Sequence, residues 1–273
     1  MAFARLSPRY FHNLRRSPTG LNMWGHERGD HSRSCSSTEF APGRIQSGPP
    51  MSVRFHLFDA YDEIAQDDRI AALAALEKAL PQILERLPID RVDVIVGYSD
   101  PAWAIPAWDI DGFSHGKGRI SITVAPQHPR FGDPERSQRL AAILAHELHH
   151  IARARLTGYG STLGEALVSE GLAQCFEIEI GCPPPPYAVA LSGDALTAFA
   201  LRAREHLTAS DYDHDAWFFG RRGEPYFPKH GGYTLGYVLV KAWLAREGKT
   251  AAACAGVIGA QVIEAWTSGQ IGI

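Results

Sequence analysis

The run Ala145-His146-Glu147-Leu148-His149-His150 places two histidines, His146 and His150, four residues apart with a glutamate directly after the first. In a helix that spacing stacks both side chains on one face, so the two imidazoles can converge on a single cation. Glu147 sits about 100° around the helix from His146, beside the pair, where a carboxylate suits a base acting on metal-held water. A hydrolytic zinc ion takes three protein ligands and leaves its fourth position to water. Glu170, 20 residues beyond His150, is the expected third ligand, folded back onto the histidines by the turn Gly158-Tyr159-Gly160-Ser161-Thr162. Glu165 competes for that role, but it lies roughly 140° from Glu170 around the helix, so the two cannot both face the ion. Glu170 is preferred for its spacing and for its neighbour Gly171, which leaves room beside the metal; Glu165 then reads as an exposed carboxylate or one that supports a ligand.

His-Glu-x-x-His followed by a glutamate 20 residues later resembles the gluzincin metallopeptidases. The longer strings AHELHH, EALVSEGLA, WFFG and GYTLGY resemble a bacterial family of predicted zinc-dependent proteases of otherwise unknown function, and the similarity spans about residues 51–265. The resemblance implies a zincin-like fold, Zn2+ as cofactor and a peptide or protein substrate. It also implies that RISITVAP forms the edge strand of the cleft, pairing with an extended substrate. One departure stands out. Thermolysin-type enzymes carry an aspartate four residues after the glutamate ligand, bonded to a ligand histidine; here that position is Gln174. Support for the histidines must then come from elsewhere, such as Glu165 or a backbone carbonyl.

Water attack on a carbonyl, with Glu147 as base, develops an oxyanion that needs a donor aimed at it. The candidates lie in YFPKHGGYTLGY: His230, Tyr233 and Tyr237. Tyr233 is preferred, because the family resemblance covers its string and a phenol donates without changing charge near neutral pH. Tyr237 reads as packed with its polar tip outward, and His230 as an exposed loop histidine. His149 falls about 60° from His146 on the far side and is expected to face solvent or to cap. The run Trp217-Phe218-Phe219 reads first as core, with a substrate-pocket lining as the alternative. Beside the hydrolase stands a second class, a catalytically weak zincin-like peptide-binding or regulatory module. Such a module would keep the ligands but have no use for Glu147.

The elements that must hold these residues follow from periodicity. SVRFHLFDA and RVDVIVGYS alternate apolar residues as strands do, and RISITVAP supplies a third strand after a Trp- and Pro-rich loop over residues 101–118. Between the first two strands, Ile70, Leu73, Leu76 and Leu80 recur at helical spacing, with Pro81 expected to kink or split the helix. Helical patterns follow: one opening at an Asp133 cap with Pro134 in its first turn, one capped by Ser161 or Thr162, then ALTAFALRAREHL, TLGYVLVKAWLAREG and AAACAGVIGAQVIEAW. Leu140, Ile143, Leu144, Leu148 and Ile151 form one apolar stripe whose border carries the ligand edge. The chain is thus α+β: a small N-terminal mixed sheet, then a helical half with the metal-binding motif.

Residues 1–50 are rich in Ser, Gly, Pro and Arg and poor in branched apolar residues, so they are expected to be a disordered extension, with the folded domain spanning 51–273. A formal charge of −3 and mixed-sign composition give no basic surface for nucleic acid. No stretch reaches the roughly 20 apolar residues of a membrane span. Cys35, Cys175, Cys182 and Cys254 lack a C-x-x-C pair and read as free thiols. The absence of an export signal points to a cytoplasmic location.

Overall fold

The computed structural model describes residues 53–60, 62–87, 89–98, 110–124 and 134–273. All of them lie within one unit, Ser47–Ile273. The expected disorder of residues 1–50, the Asp133 cap and the 101–109 part of the Trp- and Pro-rich loop fall outside the described residues.

Four strands form one mixed sheet in the order β1-β2-β4-β3: β1 (Val53–Phe58), β2 (Val92–Tyr98), β3 (Ile110–Ser114) and β4 (Arg119–Val124). β1 and β4 both run parallel to β2, whose Val92, Val94 and Val96 are buried, as suits a central strand. β3 pairs antiparallel with β4, Gly112 opposite Ile122. This corrects the expectation for RISITVAP. Its Arg119–Val124 stretch is an inner strand, and the edge belongs to β3, which the sequence hid inside a loop. The sequence of β3, IDGFS, contains Asp and Gly, both poor strand formers, and only pairing with β4 makes it extended.

Helix α1 (Gln66–Arg86) buries Ala72, Ala75, Leu76, Ala79 and Ile83 and continues through Pro81 without splitting. Pro81 points to the exposed side, and burial of Ala79 and Ile83 on the other face offsets the lost backbone bond. α2 (Pro134–Leu156) carries the expected apolar stripe; Leu140, Ile143, Leu144, Leu148 and Ile151 are all buried. α3 (Leu163–Glu179) starts at Thr162 in a capping box: the Thr162 side chain accepts from the Glu165 N–H and the Glu165 carboxylate accepts from the Thr162 N–H. After α4 (Gly193–Arg204) come α5 (Gly231–Glu247) and α6 (Gly259–Thr267). Residues 251–256 of the expected last helix form turns instead. No helix among the described residues is long and apolar enough to cross a membrane. Cys175, Cys182 and Cys254 are free thiols.

Three contacts fix the helices that matter for the motif. Arg153, buried, donates from Nε to Ser169 Oγ at 3.1 Å and from Nη1 to the Ala255 and Val257 carbonyls, tying α2 to α3 and to the segment before α6. Arg155 donates to the Lys117 and Arg91 carbonyls, clamping the end of α2 to the sheet. α3 and α5 cross backbone to backbone: a Cβ on Gly171 would lie 2.1 Å from Gly236 O, and one on Gly236 would lie 2.3 Å from Leu167 O. Gly171 therefore serves the helix crossing rather than leaving space beside a metal.

His149 does not face solvent. It is wholly buried, bonds through Nε2 to Ala251 O at 3.1 Å and packs against Phe176. Burial pushes its pKa down to about 3 from 6.5. The folded chain keeps this imidazole neutral while the unfolded chain takes up a proton below about pH 6.5, so its contribution is intact above that pH and lost progressively towards pH 3. In metal-free protein the melting temperature should fall over that window, and His149→Gln should flatten the slope while lowering stability at pH 8. Gly236→Ala should cost about 3 kcal/mol or more, seen as a lower urea midpoint with unchanged m-value; a midpoint within error of wild type would contradict the backbone contact.

Candidate metal centre

One turn of α2 brings His146 and His150 into the interior with their Nε2 atoms 3.0 Å apart. Glu170, from α3, reaches both: Oε2 is 3.2 Å from His146 Nε2 and Oε1 is 3.5 Å from His150 Nε2. All three side chains are buried, and one donor atom from each lies within 4.8 Å of the others. Donors arranged tetrahedrally about zinc at roughly 2.0–2.1 Å stand about 3.3–3.4 Å apart. The Nε2–Nε2 distance and the imidazole distances to the two Glu170 oxygens all lie near that value, so the set fits a zinc ion held by two imidazoles and one carboxylate.

The imidazoles are oriented from behind. His146 Nδ1 meets Glu177 Oε1 at 2.6 Å, which assigns the Nδ1 proton to that bond and aims Nε2, the atom that would ligate a metal once deprotonated, at the donor cluster. The Tyr187 hydroxyl donates to the same Glu177 oxygen at 3.0 Å. Tyr187 belongs to the short 3-10 turn Pro186–Val189, and Thr234 of α5 donates to its carbonyl at 3.0 Å. On the other side the Tyr159 hydroxyl donates to Glu170 Oε1 at 2.7 Å.

These supports were missed from sequence. Gln174, where an aspartate stands in thermolysin-type enzymes, is fully buried with no hydrogen-bond partner for its amide among the described residues. Glu177, one turn further along, takes the histidine instead. Glu170, Gln174 and Glu177 share one helical face at i, i+4 and i+7, a spacing that points to Glu177. Glu165 has no part in it. Its carboxylate accepts the Ser161 and Thr162 N–H groups, which hold its pKa below the usual range. Tyr159 and Tyr187 carried no signal in the sequence, because loop geometry alone delivers them.

Burial opposes charge on every member, and the partners decide the outcome. Burial works against protonation of His146, but the Glu170 and Glu177 hydrogen bonds outweigh it and raise its pKa well above 6.5. Glu170 goes the opposite way: the neighbouring His150 and His146 overcome its burial and hold it well below 4.5. Glu147, buried against the edge strand, is raised by desolvation. Gly112 of β3 passes so close that a Cβ there would stand 2.6 Å from Ile143 and 2.9 Å from Glu147 Cγ. Asp111, next to it, is pushed up to about 7 by burial and then by the Glu147 charge.

Tyr233 lies in the first turn of α5, its ring 5.1 Å from Tyr187 and 5.1 Å from Phe218. Burial raises its phenol well above 10, with Glu170, Asp111 and Glu147 adding to the shift. His230, half-buried rather than exposed, adopts a left-handed backbone at the helix start, 6.1 Å from the Tyr233 ring. Tyr237 is buried one turn on, beneath the Lys241 ammonium at 5.3 Å from its ring centre.

No curated protein matches the chain. A family model described as Predicted Zn-dependent protease (DUF2268) matches residues 76–264, more than half of the sequence and the stretch that runs from α1 through the donor cluster into α6. The chain belongs to this family of predicted Zn-dependent proteases, DUF2268.

Proposed function

We propose that this protein is a zinc-dependent peptidase that hydrolyses peptide bonds, with His146, His150 and Glu170 as metal ligands, Glu147 as general base and Tyr233 as oxyanion donor. The observation that carries the reading is the convergence of the three donors at zinc-compatible spacing, with Glu147 on the same helix directly beneath an edge strand.

A zinc ion held there supplies Lewis acidity that polarises a carbonyl and acidifies water. The protein's own groups do the rest. Glu147 takes a proton from the attacking water and returns it to the leaving amine. Its raised pKa makes it a stronger base for the first transfer and a competent acid for the second. Glu177, steadied by Tyr187, holds the His146 tautomer. Tyr233, kept neutral by burial, can donate a hydrogen bond where negative charge develops. The outer side of β3 has no partner strand among the described residues, so an extended peptide can pair with it as an added strand.

Glu147→Gln should retain one zinc per chain by elemental analysis while losing at least about a hundredfold in kcat; wild-type turnover in that variant would remove Glu147 as base. Glu177→Gln should weaken zinc binding about 10–100-fold in chelator competition, with the fold intact by circular dichroism. Tyr233→Phe should lower kcat by about a hundredfold or more and leave KM within about threefold; a change in KM alone would give Tyr233 a binding role instead.

A further inference from the structure

The aromatic run Trp217-Phe218-Phe219 divides in the fold. Trp217 and Phe218 are core, packed against Phe199 and Tyr233 respectively, whereas Phe219 is 53% exposed. The division comes from the local backbone. Asp215–Phe219 forms a single wide turn closed by Gly220 N–H to Asp215 O at 3.1 Å, one residue more per turn than an α-helix. Such insertions rotate the following side chain off the buried face and occur often at functional sites. The turn is braced at its base: Asp213 accepts the Ala216 N–H and pairs with Arg221 at 2.6 Å. Phe219 is therefore an apolar ring held outward by a built support.

Its place is the second observation. The Phe219 ring lies 5.8 Å from Tyr233 and 6.3 Å from His214. His214 stacks on Phe218 at 4.3 Å and stands 6.2 Å from Tyr159, whose hydroxyl meets Glu170. A continuous aromatic wall thus runs from the ligand carboxylate through Tyr159 and His214 to Phe219 and back to Tyr233. An apolar ring left in water at the end of that wall gains free energy when a ligand covers it.

We propose that Phe219 forms one wall of a substrate subsite that takes a large apolar side chain flanking the scissile bond. The proposal rests on the peptidase reading, and it names what that cleft selects. Tyr233, in contact with Phe219, would face the reacting carbonyl, so the residue against Phe219 is one next to the bond being cut.

The test separates recognition from chemistry. Full-length, zinc-loaded protein carrying Glu147→Gln is titrated with fluorescein-labelled peptides that differ only in one central residue, Phe, Leu, Ala or Asp, and binding is read by anisotropy. The Phe and Leu peptides should bind about tenfold tighter than the Ala and Asp peptides. Adding Phe219→Ala should shrink that gap to about threefold or less, and adding Phe219→Leu should keep it. An undiminished gap in the Phe219→Ala protein overturns the subsite. So does a wild-type dimer that Phe219→Ala splits into monomers, since a second copy of the chain would then be what covers the ring. Cleavage of the same peptides by protein with Glu147 intact is followed in parallel. Discrimination without any cleavage overturns the peptidase reading and leaves Phe219 as an apolar contact for a bound peptide rather than a subsite beside a scissile bond; cleavage without Phe219-dependent discrimination overturns the subsite alone.

Discussion

Three carboxylates, Glu147, Glu170 and Glu177, are buried around two imidazoles, and much of the helical half is organised by that concentration of charge. Removing a carboxylate from water costs several kcal/mol unless partners replace the lost hydration. His146 bridges Glu170 and Glu177, His150 leans on Glu170, and Tyr159 and Tyr187 donate from outside. Two imidazoles cannot fully compensate three carboxylates, which is why burial raises Glu147 and Glu177 while Glu170 alone stays low. A divalent cation at the donor cluster is the counter-charge that the proposed function supplies, and it would couple metal binding to the stability of the fold.

Meeting that constraint requires helices placed to within a fraction of an ångström. The α3–α5 crossing at Gly171 and Gly236 brings the helix of Tyr233 against the helix of Glu170 at backbone distance, closer than any side chain permits. Arg153 then fixes α3 to α2 by replacing its own lost hydration with a serine hydroxyl and two carbonyls. Neither feature touches the donor cluster. Both set where it closes.

The open side of the site has a different logic. β3 approaches Glu147 because Gly112 has no side chain to hold it off, and the aromatic series from Tyr159 to Phe219 starts at the Glu170 carboxylate. In the proposed reading the free edge of β3 would take the backbone of an extended ligand, and the aromatic series one of its side chains.

The sequence alone placed the histidine pair, because helical periodicity is local: a spacing of four from His146 to His150 puts both on one face whatever surrounds them. It also preferred Glu170 to Glu165 by spacing, although the capping box that occupies Glu165 was seen only in the structure. The α+β order, sheet first and helices after, was legible for the same reason. Tertiary structure decided the rest. In β3, Asp111 and Gly112 interrupt Ile110 and Phe113 and the strand is held extended by pairing with β4, so the cleft edge could not be read from periodicity. Glu177 lay on the right helical face, but its partner is 31 residues away, and only the packing of α2 on α3 joins them. The burial of His149 and the outward turn of Phe219 depend on what packs behind each of them, which no local pattern encodes.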